Sequence, residues 1–210
     1  MSAGKQITVE LGSGTGNLKE FKPDIVSSDV DPCDWLDMNF DAHEMPFHAG
    51  SVSNIVMIDV LHHLADPIRF FHECERVLEK GGRIILLEPY PSIVSWFVYK
   101  FLHPEPYLAK IDYFGRTAVE LKTDPWDANV AAPFIIFYEK EQQWHDEFEK
   151  SFRIITKREM SFILYPLSGG FEYPSLVPEF AISFFVWMEK MLRPLRKIMA
   201  FRCYIVIERK

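Results

Sequence analysis

A doubly wound α/β fold, with a mostly parallel sheet and helices on both faces, is what this sequence predicts. Three observations carry that expectation. The apolar positions Ile7, Val9 and Leu11 lead straight into glycines at 12, 14 and 16, a strand that ends in a tight turn. Strand and helix signals alternate through the first ninety or so residues, the pattern of parallel strands joined by crossover helices. The chain closes on one more alternating apolar run, Cys203 to Glu208.

The elements follow in order. Gln6 to Leu11 is the first strand, and Asn17 to Phe21 a short helical stretch broken by Pro23. Asp24 to Ser28 is the second strand, ending at Asp29, with a turn or helix start at Asp31-Pro32. The segment between Asp29 and Asp41 is short for a full strand and helix, so the sheet is expected to lack an element there. Val52 to Ile58 reads as a short buried strand. Ile68, Phe71, Cys74, Val77 and Leu78 fall at helical spacing, predicting a helix over Pro67 to Lys80 capped by Gly81-Gly82. Arg83 to Glu88 is a strongly apolar strand stopped by Pro89. Beyond it, Ser92 to Leu102 predicts a helix, and Lys110 to Asn129 a loop or insertion. Phe134 to Lys150 predicts a helix or a strand followed by one. Phe152 to Tyr165 reads as strand material around Ile154-Ile155 and Phe162 to Tyr165, Ser168-Gly169-Gly170 as a turn, and Pro178 to Phe201 as a long aromatic helix bent or interrupted at Pro194.

Composition bounds the class. A chain of 210 residues suits one domain, 1–210, with a decorated core. The net charge of −7 argues against nucleic acid as the main partner, because phosphate binding needs a basic face. Cys33, Cys74 and Cys203 are odd in number and far apart, as reduced thiols of a cytoplasmic protein are. There is no recognisable signal peptide and no uncharged apolar run long enough to span a bilayer. The 18 phenylalanines lie mostly in the second half, which sets that half apart.

The glycine loop points to a nucleotide-like ligand, with a ligand-free glycine turn as its competing reading. The dinucleotide fingerprint needs a third glycine one position later, where this chain has Asn17. Glu10 followed by Gly12-Ser13-Gly14-Thr15-Gly16 instead resembles the cofactor loop of the class I S-adenosylmethionine (SAM) methyltransferases. Further matches follow in family order: Asp29, then Asp41-Ala42 with Met45-Pro46-Phe47. After them come the strand to Ile58, Leu61-His62-His63-Leu64, Glu73-x-x-Arg76-Val77-Leu78, Gly81-Gly82-Arg83 and Glu88-Pro89. The resemblance, to the small-molecule methyltransferases of type 11, covers Glu10 to Pro89.

It implies a Rossmann-like sheet with an antiparallel last strand, a SAM-binding half at 1–90 and a substrate-side half at 91–210. It also implies that the glycines and Ser13 and Thr15 approach the methionine and ribose parts of SAM. Glu10 would lie near the amino group of SAM, and Asp29 would bind the ribose hydroxyls. Asp41 would bind the adenine amino group with Ala42 beside it, and Ile58 and Asp59 would line the other side. The helices that the family carries ahead of the first strand are expected to be absent or truncated here.

The activity implied is methyl transfer from SAM to a small-molecule, glycan or lipid-linked acceptor, with oxygen the expected acceptor atom, leaving S-adenosylhomocysteine. The second half is similar to methyltransferases of bacterial surface-glycan pathways. A SAM-binding module without turnover is the alternative. An oxygen acceptor gains from a general base, and histidine suits that role near neutral pH. His63 and His62 are the catalytic candidates, with Glu88 and Tyr90 as second choices and a structural role competing for His63. His43, His48, His62, His63 and His72 have no partner at metal-ligand spacing, so no metal site is expected. The helix from Pro178 carries aromatics and then Arg193, Arg196, Lys197 and Arg202. It reads as a packed core or homo-oligomer face, or as peripheral contact with a membrane.

Overall fold

The computed structural model describes residues 6–14, 17–115, 127–169 and 174–210. Seven strands form one sheet in the order β3-β2-β1-β4-β5-β7-β6. In chain order they are β1 Thr8–Leu11, β2 Val26–Asp29, β3 Met38–Asn39, β4 Val52–Ile58, β5 Leu78–Pro89, β6 Phe152–Met160 and β7 Arg202–Arg209. β1 sits between β2 and β4, with Val9 beside both Val26 and Ile55. All four of its residues are buried, as a central parallel strand covered on both faces requires. β1 to β5 are parallel. β7 runs antiparallel to β5 and to β6, so the antiparallel last strand is observed.

The helices are α1 Asn17–Phe21, α2 Pro67–Val77, α3 Ile93–Phe101, α4 Ala132–Phe134, α5 Glu141–Phe148, α6 Leu164–Leu167, α7 Ile182–Met191 and α8 Arg196–Met199. α4 runs on into a π-helical turn over Ile135–Glu139. Asp66 caps α2 by accepting the Arg69 N–H at 2.9 Å, with Pro67 at the first helical position. α2 buries Phe70, Phe71, Cys74 and Val77. The second half answers with Phe137, Trp144, Phe148 and Phe152, all buried, and Phe71 meets the first three edge-on. Part of the phenylalanine excess is therefore core.

Two expectations are corrected here. α2 stops at Val77, and β5 begins at once, because Leu78 pairs with Val52 before the register shifts to Asn54 beside Arg83. Gly81 and Gly82 turn the chain inside β5 rather than cap the helix. Gly81 has φ +81, and a Cβ on Gly82 would stand 2.8 Å from the Glu79 carbonyl. The gap between Asp29 and Asp41 does hold a strand, the two-residue β3, paired with β2 through Ser28 and Asn39's neighbour Met38. What it lacks is a helix before that strand.

Candidate functional site

The strand order reverses beside β1: β2 and β3 extend one way, β4 and β5 the other. In such sheets the crevice outside the carboxyl ends of the strands, at that reversal, takes the ligand. A cavity of about 410 Å³ lies there, within the usual size of a small-molecule site. Its walls come from the ends of β1 (Leu11, Gly12, Gly14), β2 (Ser28, Asp29) and β4 (Asp59, Val60), and from the loop after β3 (Asp41, Ala42).

The glycine turn is built for close approach. Gly12 has φ +64, and a Cβ there would fall 2.4 Å from Val60 Cγ2, so no other residue fits. Ser13 fastens the turn instead of lining the cavity: its N–H donates to Ser28 O, and its Oγ accepts the Ser28 N–H at 3.0 Å. Gly14 N–H donates to Asp29 Oδ2 at 3.0 Å, which sets the carboxylate at the cavity edge. Thr15 and Gly16 lie outside the described residues, as does Gly170.

The acidic positions divide. Asp29, Asp41 and Asp59 stand on the cavity wall. Glu10 is buried in β1, and its Oε2 has no hydrogen-bond partner; burial raises its pKa. Asp41 accepts the His43 N–H and its Nδ1–H, at 2.8 and 2.6 Å. Burial there opposes the charge, but these bonds outweigh it and hold the carboxyl below its ordinary value. His43 Nε2 accepts the Asp66 N–H at 3.2 Å, which assigns the neutral Nδ1–H tautomer. Ala42 lines the cavity beside them.

Ile58 pairs with Leu87 and does not reach the cavity. Asp59 follows it with φ 57, a left-handed conformation uncommon outside glycine. Burial pushes its carboxyl up to about 6, against the charge of Arg202. Arg202 Nη2 lies 2.5 Å from Oδ2, yet neither Asp59 oxygen has a partner in hydrogen-bond geometry. Arg202 therefore engages Oδ2 as an ion pair, and Oδ1 is the Asp59 oxygen left without a partner among the described residues.

The two histidines separate. His63 lines the cavity. His62 is buried away from it, its Nδ1 2.7 Å from Glu88 Oε2 and its Nε2 3.2 Å from Glu105 Oε2. Burial disfavours an imidazolium, but hydrogen bonds with Glu105 and Glu88 outweigh it and raise the pKa to about 9. Glu88, fully buried, also accepts the Val60 and Leu61 N–H groups through Oε1 at 3.0 and 2.8 Å. It ties the turn after β4 to β5 and is no free base. Tyr90 is buried in the core, its pKa raised by burial. Glu105 is the residue sequence reasoning missed. Its Oε1 lies 3.4 Å from His63 Nε2, and its hydrogen bonds with His62 and His63 overcome burial and hold its carboxyl well below the ordinary range. The local signal was the rigid Pro104-Glu105-Pro106 step.

The comparisons agree with this geometry. Residues 9–86 match the methyltransferase domain family. That match covers 78 of the 210 residues. A Streptomyces fradiae protein, an uncharacterized 37.1 kDa protein in a transposon, is 30% identical over 104 residues. That match covers 46% of this chain and spans only 29% of the relative's length. The methyltransferase fold extends over the whole chain. An Archaeoglobus fulgidus SAM-dependent methyltransferase aligns with TM-score 0.57 at 13% identity, covering 99% of this chain and 87% of that one. A Mesorhizobium loti SAM-dependent methyltransferase aligns at 0.52 and 13%, covering 100% and 93%. A Thermotoga maritima SAM-dependent methyltransferase, described as a possible histamine N-methyltransferase, aligns at 0.52 and 15%, covering 98% and 83%.

The solved structures that share this fold are described as SAM-dependent methyltransferases, and the chemistry of the cavity's acidic residues fits that cofactor. Glu10 Oε2, buried beneath the glycine turn, and Asp59 Oδ1, on the cavity wall after β4, are carboxyl oxygens without a hydrogen-bond partner among the described residues. SAM brings a cationic ammonium and sulfonium and a ribose diol to such a site. Two-oxygen acceptors such as Asp29 and Asp41 suit the diol and an amino group.

Proposed function

We propose that this chain is a SAM-dependent methyltransferase that methylates an oxygen of a small-molecule, glycan or lipid-linked acceptor. The observation that carries the reading is the cavity at the sheet's reversal point, with Asp29, Asp41 and Asp59 on its wall and His63 beside them. When bound, SAM supplies the electrophilic methyl group, and the protein supplies orientation and electrostatics. Asp29 and Asp41 would hold the ribose and adenine ends, with Gly12 and Gly14 passing close to the cofactor. Glu10 and Asp59 would face its positive groups, with Ala42 against the adenine and Ile58 behind the wall.

His63 takes the general-base role, the acceptor proton passing to its ring. His62 does not, because a fully buried imidazolium held by two carboxylates has no room for another proton. It positions His63 and Glu105. The reading treats 1–210 as one domain, with 91–210 on the acceptor side. Titration of SAM by calorimetry, followed by assay of S-adenosylhomocysteine release with hydroxylated acceptors, tests it. SAM binding with no turnover on any acceptor class would make the chain a binding module instead.

The acceptor reading leans towards a lipid surface. α3 leaves the carboxyl end of β5, and the segment carrying α7 and α8 returns to Arg202 beside Pro89. Both therefore flank the edge of the sheet that holds the cavity. They expose Phe97 at 56%, Trp187 at 55% and, just before α7, Phe180 at 90%. From Lys190 to Arg202 the chain has five basic residues and no acidic one, within a molecule of net charge −7. Arg202 is buried against Asp59 and Arg196 pairs with Glu159; apolar rings beside the remaining Lys190, Arg193 and Lys197 suit anionic headgroups, each cation contributing about 1 kcal/mol near such a surface. Among the described residues no helix is long and apolar enough to cross a membrane. Contact would be peripheral, from the cytoplasmic side, where Cys33, Cys74 and Cys203 stay as the free thiols they are here.

A further inference from the structure

We propose that His62, His63 and Glu105 form a binding site for one divalent transition-metal ion, with zinc the ion that suits their donors best. The inference goes beyond the methyltransferase reading and does not rest on it. The donor atoms of the three side chains all lie within 4.8 Å of one another. Glu105 stands between the rings, 3.2 Å from His62 Nε2 and 3.4 Å from His63 Nε2. Zinc bonds of ~2.0–2.1 Å in a tetrahedron place neighbouring donors ~3.3–3.4 Å apart. The two observed separations, to Oε2 and Oε1 of Glu105 in turn, are of that size, and the set would close around an ion by drawing both imidazoles onto one carboxylate oxygen. Two imidazoles and one carboxylate are also a donor set that zinc and its first-row neighbours prefer over magnesium or calcium.

What lies behind these donors strengthens the assignment. A ligating histidine characteristically hands its other ring nitrogen to a carboxylate, which fixes the tautomer and the ring plane. His62 does this with Glu88, at 2.7 Å and fully buried. Glu88 is itself immobilised by the Val60 and Leu61 N–H groups on its other oxygen. The Asn129 N–H donates to the His62 carbonyl at 2.9 Å, bracing the backbone from the far side. Glu105 is fixed by a proline on either side and by its own N–H, which donates to His103 Nδ1 at 3.3 Å. An ion here would displace the proton that His62 Nε2 shares with Glu105.

Three protein donors leave a tetrahedral ion one position for water or substrate. Because His63 is also a cavity wall residue, that position belongs to the neighbourhood of the acceptor. With an ion bound, His63 would be a ligand, so the base role given to it above belongs to the metal-free chain, and the ion would supply Lewis-acid activation of an acceptor oxygen in its place.

The test is metal binding by the intact chain. Protein stripped with a chelator is titrated with zinc against a chromophoric competitor, and separately with cobalt while the visible spectrum is recorded. One equivalent of zinc bound at micromolar affinity or better, with tetrahedral cobalt bands, is the expected result. Glu105→Gln, isosteric and at a half-buried position, and His63→Ala should each weaken zinc binding by about a hundredfold. Glu88→Gln should weaken it by roughly ten- to a hundredfold, with circular dichroism reporting that each variant folds. No stoichiometric binding, or binding equally tight in Glu105→Gln, would overturn the site and leave an ion-pair cluster. SAM titrated into the metal-free protein reports on the cofactor cavity separately, so failure of one reading is distinct from failure of the other.

Discussion

Gly12 carries two constraints at once, a positive φ and a missing Cβ against Val60. Gly12→Ala should therefore cost about 1–3 kcal/mol of folding stability and displace the turn that meets the cofactor. Val60→Ala in the same chain removes the colliding Cγ atoms. The double variant should recover the share due to the collision and keep the share due to φ, as urea denaturation of the three variants would show. Asp59 makes a pH prediction. Its folded pKa of about 6 lies above the ordinary 3.8, with Arg202 and His62 lowering it and burial and Glu88 raising it. Between those values the folded chain keeps a proton that the unfolded chain has lost. Stability should therefore fall as pH rises through about 4 to 6, by up to about 3 kcal/mol. In Asp59→Asn that slope should disappear, and denaturation midpoints at pH 4 and pH 7 would measure it.

At the level of elements, helix boundaries show where sequence reasoning stops. The start of α2 was legible because Asp66 and Pro67 act locally. Removing the cap, Asp66→Ala, should cost about 1 kcal/mol, read from the urea midpoint with the slope unchanged. Its end was not legible, because the pairing of Leu78 with Val52 is a contact between distant segments that helical spacing cannot contain. β3 escaped for a similar reason, two residues being too few to show an alternation. The π turn at Ile135–Glu139 is equally silent in the sequence. The aromatics of the second half divided between core and surface by tertiary position. Trp144 and Phe148 face α2, whereas Phe184 and Trp187 of α7 stack on one another in the open. If that exposed face meets anionic lipid, the chain should sediment with phosphatidylglycerol vesicles and much less with phosphatidylcholine alone. Phe184→Asp should release it. Equal recovery on both vesicles, or none, would point to a protein interface.

For the whole molecule, the cofactor half was readable because its signals are consecutive: a strand, a glycine turn, then one acid at the end of each following strand. Asp29, Asp41 and Asp59 all reach the cavity. Glu10 and Ile58 sit behind its wall. The cluster beside the cavity was not readable, since Glu105 joins His62 and His63 only through the fold, from the loop after α3. The central claim is that the cavity is a SAM site. Ligand bound to the folded chain alone stabilises it by about 2.7 kcal/mol at a hundred times its Kd. The most direct measurement is calorimetric titration of SAM into the wild-type chain and into Asp29→Ala. One SAM per chain, with affinity about ten- to a hundredfold weaker in the variant, is the predicted result. No heat and no thermal stabilisation with SAM, or equal affinity in Asp29→Ala, would contradict it.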